Sequence, residues 1–126
     1  MGWALGLGRL VPGWLRAAAF WASAAAVVGL SLTPVAHLPP LVFDLWDKAQ
    51  HALGFLVLTW LGLWAYPRHT RRVLVGLLLL GGWIEWAQSA TGWRHGDWLD
   101  WLADAVGVAA AAGVLWALRS RTAPPP

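Results

Sequence analysis

The residues that could do chemistry are mostly carboxylates, joined by one lysine, one histidine, one glutamine and one arginine. They lie between positions 47 and 104 and are separated by mostly apolar residues. Carboxylates beside histidine and lysine can bind a cation or exchange protons, and arginine binds phosphate through its planar fork of donors. The candidate site residues are Asp47, Lys48, His51, Glu85, Gln88, Arg94, Asp97, Asp100 and Asp104.

These residues recur at spacings that place each group on one face of a helix. With about 100° between successive residues, each group covers an arc of roughly 60° to 100°. The three groups are Asp47, Lys48 and His51; Glu85 and Gln88; and Asp97, Asp100 and Asp104. Gly81 and Gly107 lie on the same faces, and small residues let a neighbouring helix approach closely. We therefore expect three helices to turn their polar faces towards one another.

The composition indicates that these helices cross a membrane. Hydrophobic residues make up 59% of the 126 residues, only 12% are charged, and the mean hydropathy is +0.56. A soluble domain would carry about 25% charged residues. We predict an all-α, polytopic membrane protein, a bundle of four transmembrane helices at about 16–33, 47–66, 72–89 and 98–118. We expect residues 1–15 to form a short cytoplasmic or interfacial segment and residues 119–126 a basic, proline-ending cytoplasmic tail.

The basic residues predict the orientation of this bundle, because lysine and arginine near helix ends stay on the cytoplasmic side. Most of them precede the first helix, lie between the second and third, or follow the fourth: Arg9, Arg16, Arg68, Arg71, Arg72, Arg119 and Arg121. Both termini should be cytoplasmic. All six acidic residues then lie on the outward side. The basic character is thus topological and does not indicate nucleic-acid binding.

One alternative concerns the first segment, which could be a cleaved signal peptide. Its apolar run of about 16 residues exceeds the usual 7 to 15. An uncleaved helix is favoured. The chain has no cysteine, which excludes disulfide and thiol chemistry.

The series of polar residues resembles the VanZ-like family of small bacterial membrane proteins. The matching pattern is Asp47-Lys48-x-x-His51-x-x-x-Phe55, then Glu85-x-x-Gln88, then Arg94-x-x-Asp97-x-x-Asp100-x-x-x-Asp104-x-x-Gly107. The resemblance implies a multi-pass protein of the bacterial cytoplasmic membrane. The family is named for a protein that lowers susceptibility to teicoplanin-type glycopeptides. Position 104 is usually asparagine in this pattern, so Asp104 is a departure that makes the site more acidic.

The leading functional hypothesis is a non-enzymatic protein with an outward-facing polar pocket. Its ligand would be the headgroup of an envelope lipid or a lipid-linked cell-wall precursor. One alternative is an intramembrane hydrolase that uses acid-base or metal-assisted chemistry, with Mg²⁺ or Mn²⁺ suiting the ligands better than a structural zinc. Others are a small multidrug exporter, or a polar network that only fixes helix packing. The leading hypothesis predicts no cofactor. Because carboxylates outnumber basic residues on the outward side, the site could also bind a cation such as a divalent metal.

Overall fold

The fold is described by a computed structural model, which covers residues 10–37 and 45–122, apart from the side chains at 35, 45–47 and 122. In these residues the chain is all-α and contains no strand. The helices are α1 (Gly13–Leu32), α2 (Leu45–Ala65), α3 (Thr70–Thr91) and α4 (Trp98–Thr122), with a 3-10 turn at Val35–His37. The predicted all-α class is confirmed for this part of the chain.

Three of the helices, α1, α3 and α4, are long and apolar enough to cross a membrane. Many large apolar side chains point away from the protein, among them Leu79, Trp83 and Trp86. Such a surface fits lipid better than water. The chain is accordingly a membrane protein with three candidate spans among the described residues.

Helix α2 is not among these three candidate spans. At about 1.5 Å per residue, its 21 residues extend about 31 Å, long enough to cross the hydrocarbon core. Lys48, Gln50 and His51, however, follow closely on its start. The fourth span and the cytoplasmic location of both termini therefore stay predictions.

Short connections place consecutive helices side by side. Helix α2 is followed by Tyr66 and Pro67, and proline disfavours helical backbone in the residue before it. The His69 N–H then donates to the Tyr66 carbonyl (2.9 Å), so α3 begins almost immediately. Helix α3 ends at Thr91 and is capped by Gly92, whose φ of 78° is left-handed and suits glycine. Because of these short connections, α3 runs antiparallel to both α2 and α4, so α2 and α4 run parallel to each other.

The core lies around α2, which packs against each of the other helices and most extensively against α4. Phe55 and Leu58 of α2 are almost fully buried, together with Ile84 of α3. At the crossing of α2 and α4, a Cβ atom on Gly107 would collide with the Ala52 carbonyl and lie 3.0 Å from the Leu56 nitrogen. Only glycine allows the two backbones to approach this closely. That approach places the polar faces of α2 and α4 in direct contact.

Candidate functional site

Polar side chains of α2, α3 and α4 meet at the end of the bundle where the 92–97 loop joins α3 to α4. We call this group the polar cluster. Its members are Lys48, His51, Glu85, Asp97, Asp100 and Asp104. Three separate helices and one loop supply them, so the cluster exists only in the folded bundle.

The more exposed part of the polar cluster is an ion-pair network centred on Lys48. Its Nζ atom donates to Asp97 Oδ2 (3.1 Å) and to Asp100 Oδ1 (2.8 Å). The side chains of Lys48 and Asp97 are 36% and 39% exposed, whereas Asp100 is buried. In the loop, the Leu99 N–H and then the Lys48 ammonium group hold the pKa of Asp97 below its usual value. Lys48 thus ties α2 to the start of α4.

The inner part is built on His51 and Asp104. Nδ1 of His51 lies 2.9 Å from Asp104 Oδ1, and Nε2 lies 4.0 Å from Asp100 Oδ2. Asp104 is fully buried. Gly81 of α3 lies against it, because a Cβ atom there would be 2.8 Å from Asp104 Oδ2. The absence of a side chain at Gly81 therefore leaves room for the Asp104 carboxylate between α3 and α4.

Glu85 connects α3 to the loop before α4. Its Oε2 accepts a hydrogen bond from the Asp97 N–H (2.7 Å). Its other oxygen, Oε1, is buried without a hydrogen-bond partner in the described part of the chain, as is Asp104 Oδ2. One ligand atom each from His51, Glu85 and Asp104 lies within 4.8 Å of the other two. The polar cluster therefore contains buried acceptor capacity that the described protein groups do not fill.

The other candidates from the sequence form no hydrogen bond or ion pair with the polar cluster among the described side chains. Gln88 is buried, and its Nε2 donates to the Ser31 carbonyl of α1 (2.9 Å). The Arg94 side chain is half-buried in the loop, and within residues 10–37 and 45–122 it has no recorded hydrogen bond or ion pair. The Asp47 side chain and the whole of Asp44 lie outside the described residues. The structure brings together all the other candidates.

The contribution of α1 was not expected from its sequence, which has no ionisable residue between Arg16 and His37. It acts through backbone carbonyls: Ser31 accepts from Gln88, and Leu32 accepts from Trp93 Nε1 (3.0 Å). Carbonyl groups at a helix end lack intrahelical partners, so they are free to accept such bonds. In the sequence, these carbonyl acceptors are indicated only by the predicted C-terminal end of the apolar first helix.

A second concave feature lies at the opposite end of the bundle, between α1 and α3. It is an apolar groove of about 650 Å³. Its lining includes Phe20, Trp21, Tyr66, His69, Arg72 and Trp83. A hydrogen bond from Trp21 Nε1 to the Tyr66 hydroxyl (2.8 Å) fixes one wall. Sequence reasoning did not identify this groove because its residues are scattered over two helices and a turn.

The arrangement can do two things chemically. Its exposed layer carries both charges and could receive a polar headgroup that has an amine and a phosphate. Its inner layer offers carboxylate oxygens and an imidazole, which could hold a cation or pass a proton. Comparison with family models, with curated proteins and with solved structures found no match to this chain. The resemblance to the VanZ-like family therefore stays an inference from the sequence pattern.

Proposed function

We propose that this chain is a VanZ-like, four-span protein of the bacterial cytoplasmic membrane that is not an enzyme. Both of its termini would be cytoplasmic. Its polar cluster and Arg94 would form an outward-facing site for the headgroup of an envelope lipid or a lipid-linked cell-wall precursor.

The observation that carries this proposal is the layered charge at the loop end of the bundle. Lys48 and Asp97 are partly exposed and form the outer layer, with the buried Asp104 beneath them. Ionisable groups in a membrane protein are expensive to bury and usually face a functional site. A site with charged groups at its surface and open acceptors below suits a headgroup better than an acyl chain.

The available partners define the class of headgroup. Arg94 has a guanidinium group without a recorded partner in the described residues, and guanidinium binds phosphate with two parallel hydrogen bonds. The carboxylate of Asp97 is partly exposed and can accept from an amine. We therefore propose a phosphate-bearing ligand, with an amine as its second point of recognition.

A second candidate function is favoured by one observation, the 2.9 Å contact between His51 Nδ1 and Asp104 Oδ1. A histidine oriented by a buried carboxylate is a common general acid or base. An intramembrane hydrolase would use this pair, with or without a metal. Hydrolysis of a lipid pyrophosphate by the purified protein, abolished in His51→Gln, would establish it in place of the binding function.

Lipid analysis of the purified protein tests the binding proposal. The wild type, Arg94→Ala and Arg68→Ala are purified in mild detergent, and bound lipids are extracted and identified by mass spectrometry. Arg68→Ala is the matched control because it removes the same side chain from the turn at the other end of the bundle. We expect one class of phosphate-bearing lipid to be depleted only in Arg94→Ala. Equal lipid content in all three proteins would contradict the proposal.

A further inference from the structure

Two buried carboxylates each have one oxygen atom with no hydrogen-bond partner in the described part of the chain. These atoms are Asp104 Oδ2 and Glu85 Oε1. Asp104 is fully buried and Glu85 is only 9% exposed. An unsatisfied buried acceptor destabilises the fold, and more so when it is charged. The unfilled acceptors point to a group that these residues are built to hold.

The other oxygen of each carboxylate is already fixed. Asp104 Oδ1 lies against His51 Nδ1 (2.9 Å), and Glu85 Oε2 accepts from the Asp97 N–H (2.7 Å). These bonds orient both carboxylates, so their remaining oxygens are held in place before any ligand binds. For Glu85, this is the outer hydrogen bond that is typical of metal-binding carboxylates. For Asp104, the orienting group is the His51 imidazole, which belongs to the same cluster.

The separations suit a single metal ion. Ligand atoms at about 2.0 to 2.2 Å from one ion lie within about 4.4 Å of each other. One atom each from His51, Glu85 and Asp104 lies within 4.8 Å of the other two. A contraction of a few tenths of an ångström would therefore bring all three into one coordination sphere.

The charges lead to the same conclusion. The only lysine of the polar cluster, Lys48, already bonds Asp97 and Asp100. Within the described residues neither Glu85 nor Asp104 is paired with a lysine or arginine. Two carboxylates without such a partner match the charge of a divalent cation, and buried charges are stable only when they are paired or bind a metal.

We propose that His51, Glu85 and Asp104 form a binding site for one divalent metal cation. An imidazole with two carboxylates suits Mn²⁺ better than Ca²⁺, which takes oxygen ligands only. Three protein ligands leave further coordination positions open. The metal site does not depend on the headgroup function, because Arg94 and Lys48 are not among its ligands.

Metal titration of the full chain tests this site. The protein is purified in detergent, stripped with EDTA, dialysed and titrated with MnCl₂ by isothermal calorimetry. We expect one Mn²⁺ per wild-type chain and no binding by Glu85→Gln or Asp104→Asn. His95→Gln, which removes an exposed loop histidine, should bind like the wild type. Absence of binding by the wild type, or undiminished binding by both carboxylate variants, would overturn the proposal.

A spectroscopic measurement on the wild type avoids any variant that fails to fold. Pulsed electron paramagnetic resonance of the Mn²⁺-loaded protein should show nitrogen modulation from one coordinated imidazole. A spectrum with no coupled nitrogen would exclude His51 as a ligand and overturn the site. Mn²⁺ binding that persists in Arg94→Ala, together with loss of the bound lipid, would separate the metal site from the headgroup site. Loss of both in Arg94→Ala would contradict the independence of the two sites.

Discussion

His51 Nδ1 and Asp104 Oδ1 lie 2.9 Å apart in the interior of the bundle, and this contact joins α2 directly to α4. It is possible only because Gly107, three residues after Asp104, lets the two backbones meet. The close approach of the two backbones at Gly107 and the contact between His51 and Asp104 therefore depend on each other. A substitution at position 107 tests the first, and one at position 104 tests the second.

The stability of the fold should depend on the oxygen acceptor of the Asp104 side chain more than on its negative charge. Asp104→Ala removes the oxygen that faces His51 Nδ1, and the loss of a buried hydrogen-bond partner costs about 2 kcal/mol or more. Asp104→Asn keeps an oxygen acceptor, so we expect a change below about 1.5 kcal/mol. Unfolding in mixed micelles with EDTA present measures both. Equal destabilisation by the two substitutions would show that the hydrogen bond is not the important interaction.

The close packing should be sensitive to one methyl group at position 107. Gly107→Ala places a Cβ atom against the Ala52 carbonyl, so the helices must separate, at a cost of about 1 to 3 kcal/mol. Gly113→Ala on the same helix is the matched control, because a Cβ atom there meets nothing within 4 Å. Alanine also favours helix by up to about 1 kcal/mol over glycine. Thermal unfolding should therefore show a lower Tm for Gly107→Ala only.

The loop aspartate predicts a defined response to acid. The pKa of Asp97 is held below the usual value of about 3.9 by the Leu99 N–H and the Lys48 ammonium group. Its ionised form thus stabilises the fold above the unfolded pKa, and this stabilisation is lost as pH falls through the lower folded pKa. Between about pH 5 and pH 3, Asp97→Asn should show a flatter decline of Tm than the wild type. Arg94→Ala keeps Asp97 and should retain the wild-type slope; parallel curves for all three proteins would refute the assignment.

The proposed envelope role predicts a change in drug susceptibility. Expression of the wild type in a glycopeptide-sensitive bacterium should raise the minimum inhibitory concentration of teicoplanin, because the outward site would bind a ligand near the drug's target. Arg94→Ala should abolish this effect while Arg68→Ala retains it. An unchanged inhibitory concentration on expression of the wild type would remove the link to glycopeptides and leave headgroup binding to be judged by lipid analysis.

Much of this arrangement could be predicted from local sequence. Helical spacing places Asp100 and Asp104 on one face, and His51 and Lys48 on another, because a helix repeats every 3.6 residues. Spacing does not say which residues will pair. The interaction of Lys48 with Asp97 and Asp100 depends on how the 92–97 loop returns to α2.

Gln88 marks the limit of that reasoning. Its spacing from Glu85 places the two on one face, but its amide reaches the Ser31 carbonyl of α1. Backbone carbonyls have no sequence signature, so no pattern of residue types could have identified this partner. The unfilled oxygens of Glu85 and Asp104 are likewise visible only after the surrounding bonds are known.

Single-cysteine labelling tests most directly whether the polar cluster faces the outside of the cell. The chain has no cysteine, so His95→Cys in the α3–α4 loop and His69→Cys in the α2–α3 turn each introduce a single thiol. A membrane-impermeant maleimide is applied to intact cells. Labelling of His95→Cys before permeabilisation, and of His69→Cys only after it, is the predicted result. The reverse pattern would place the polar cluster in the cytoplasm and contradict the account.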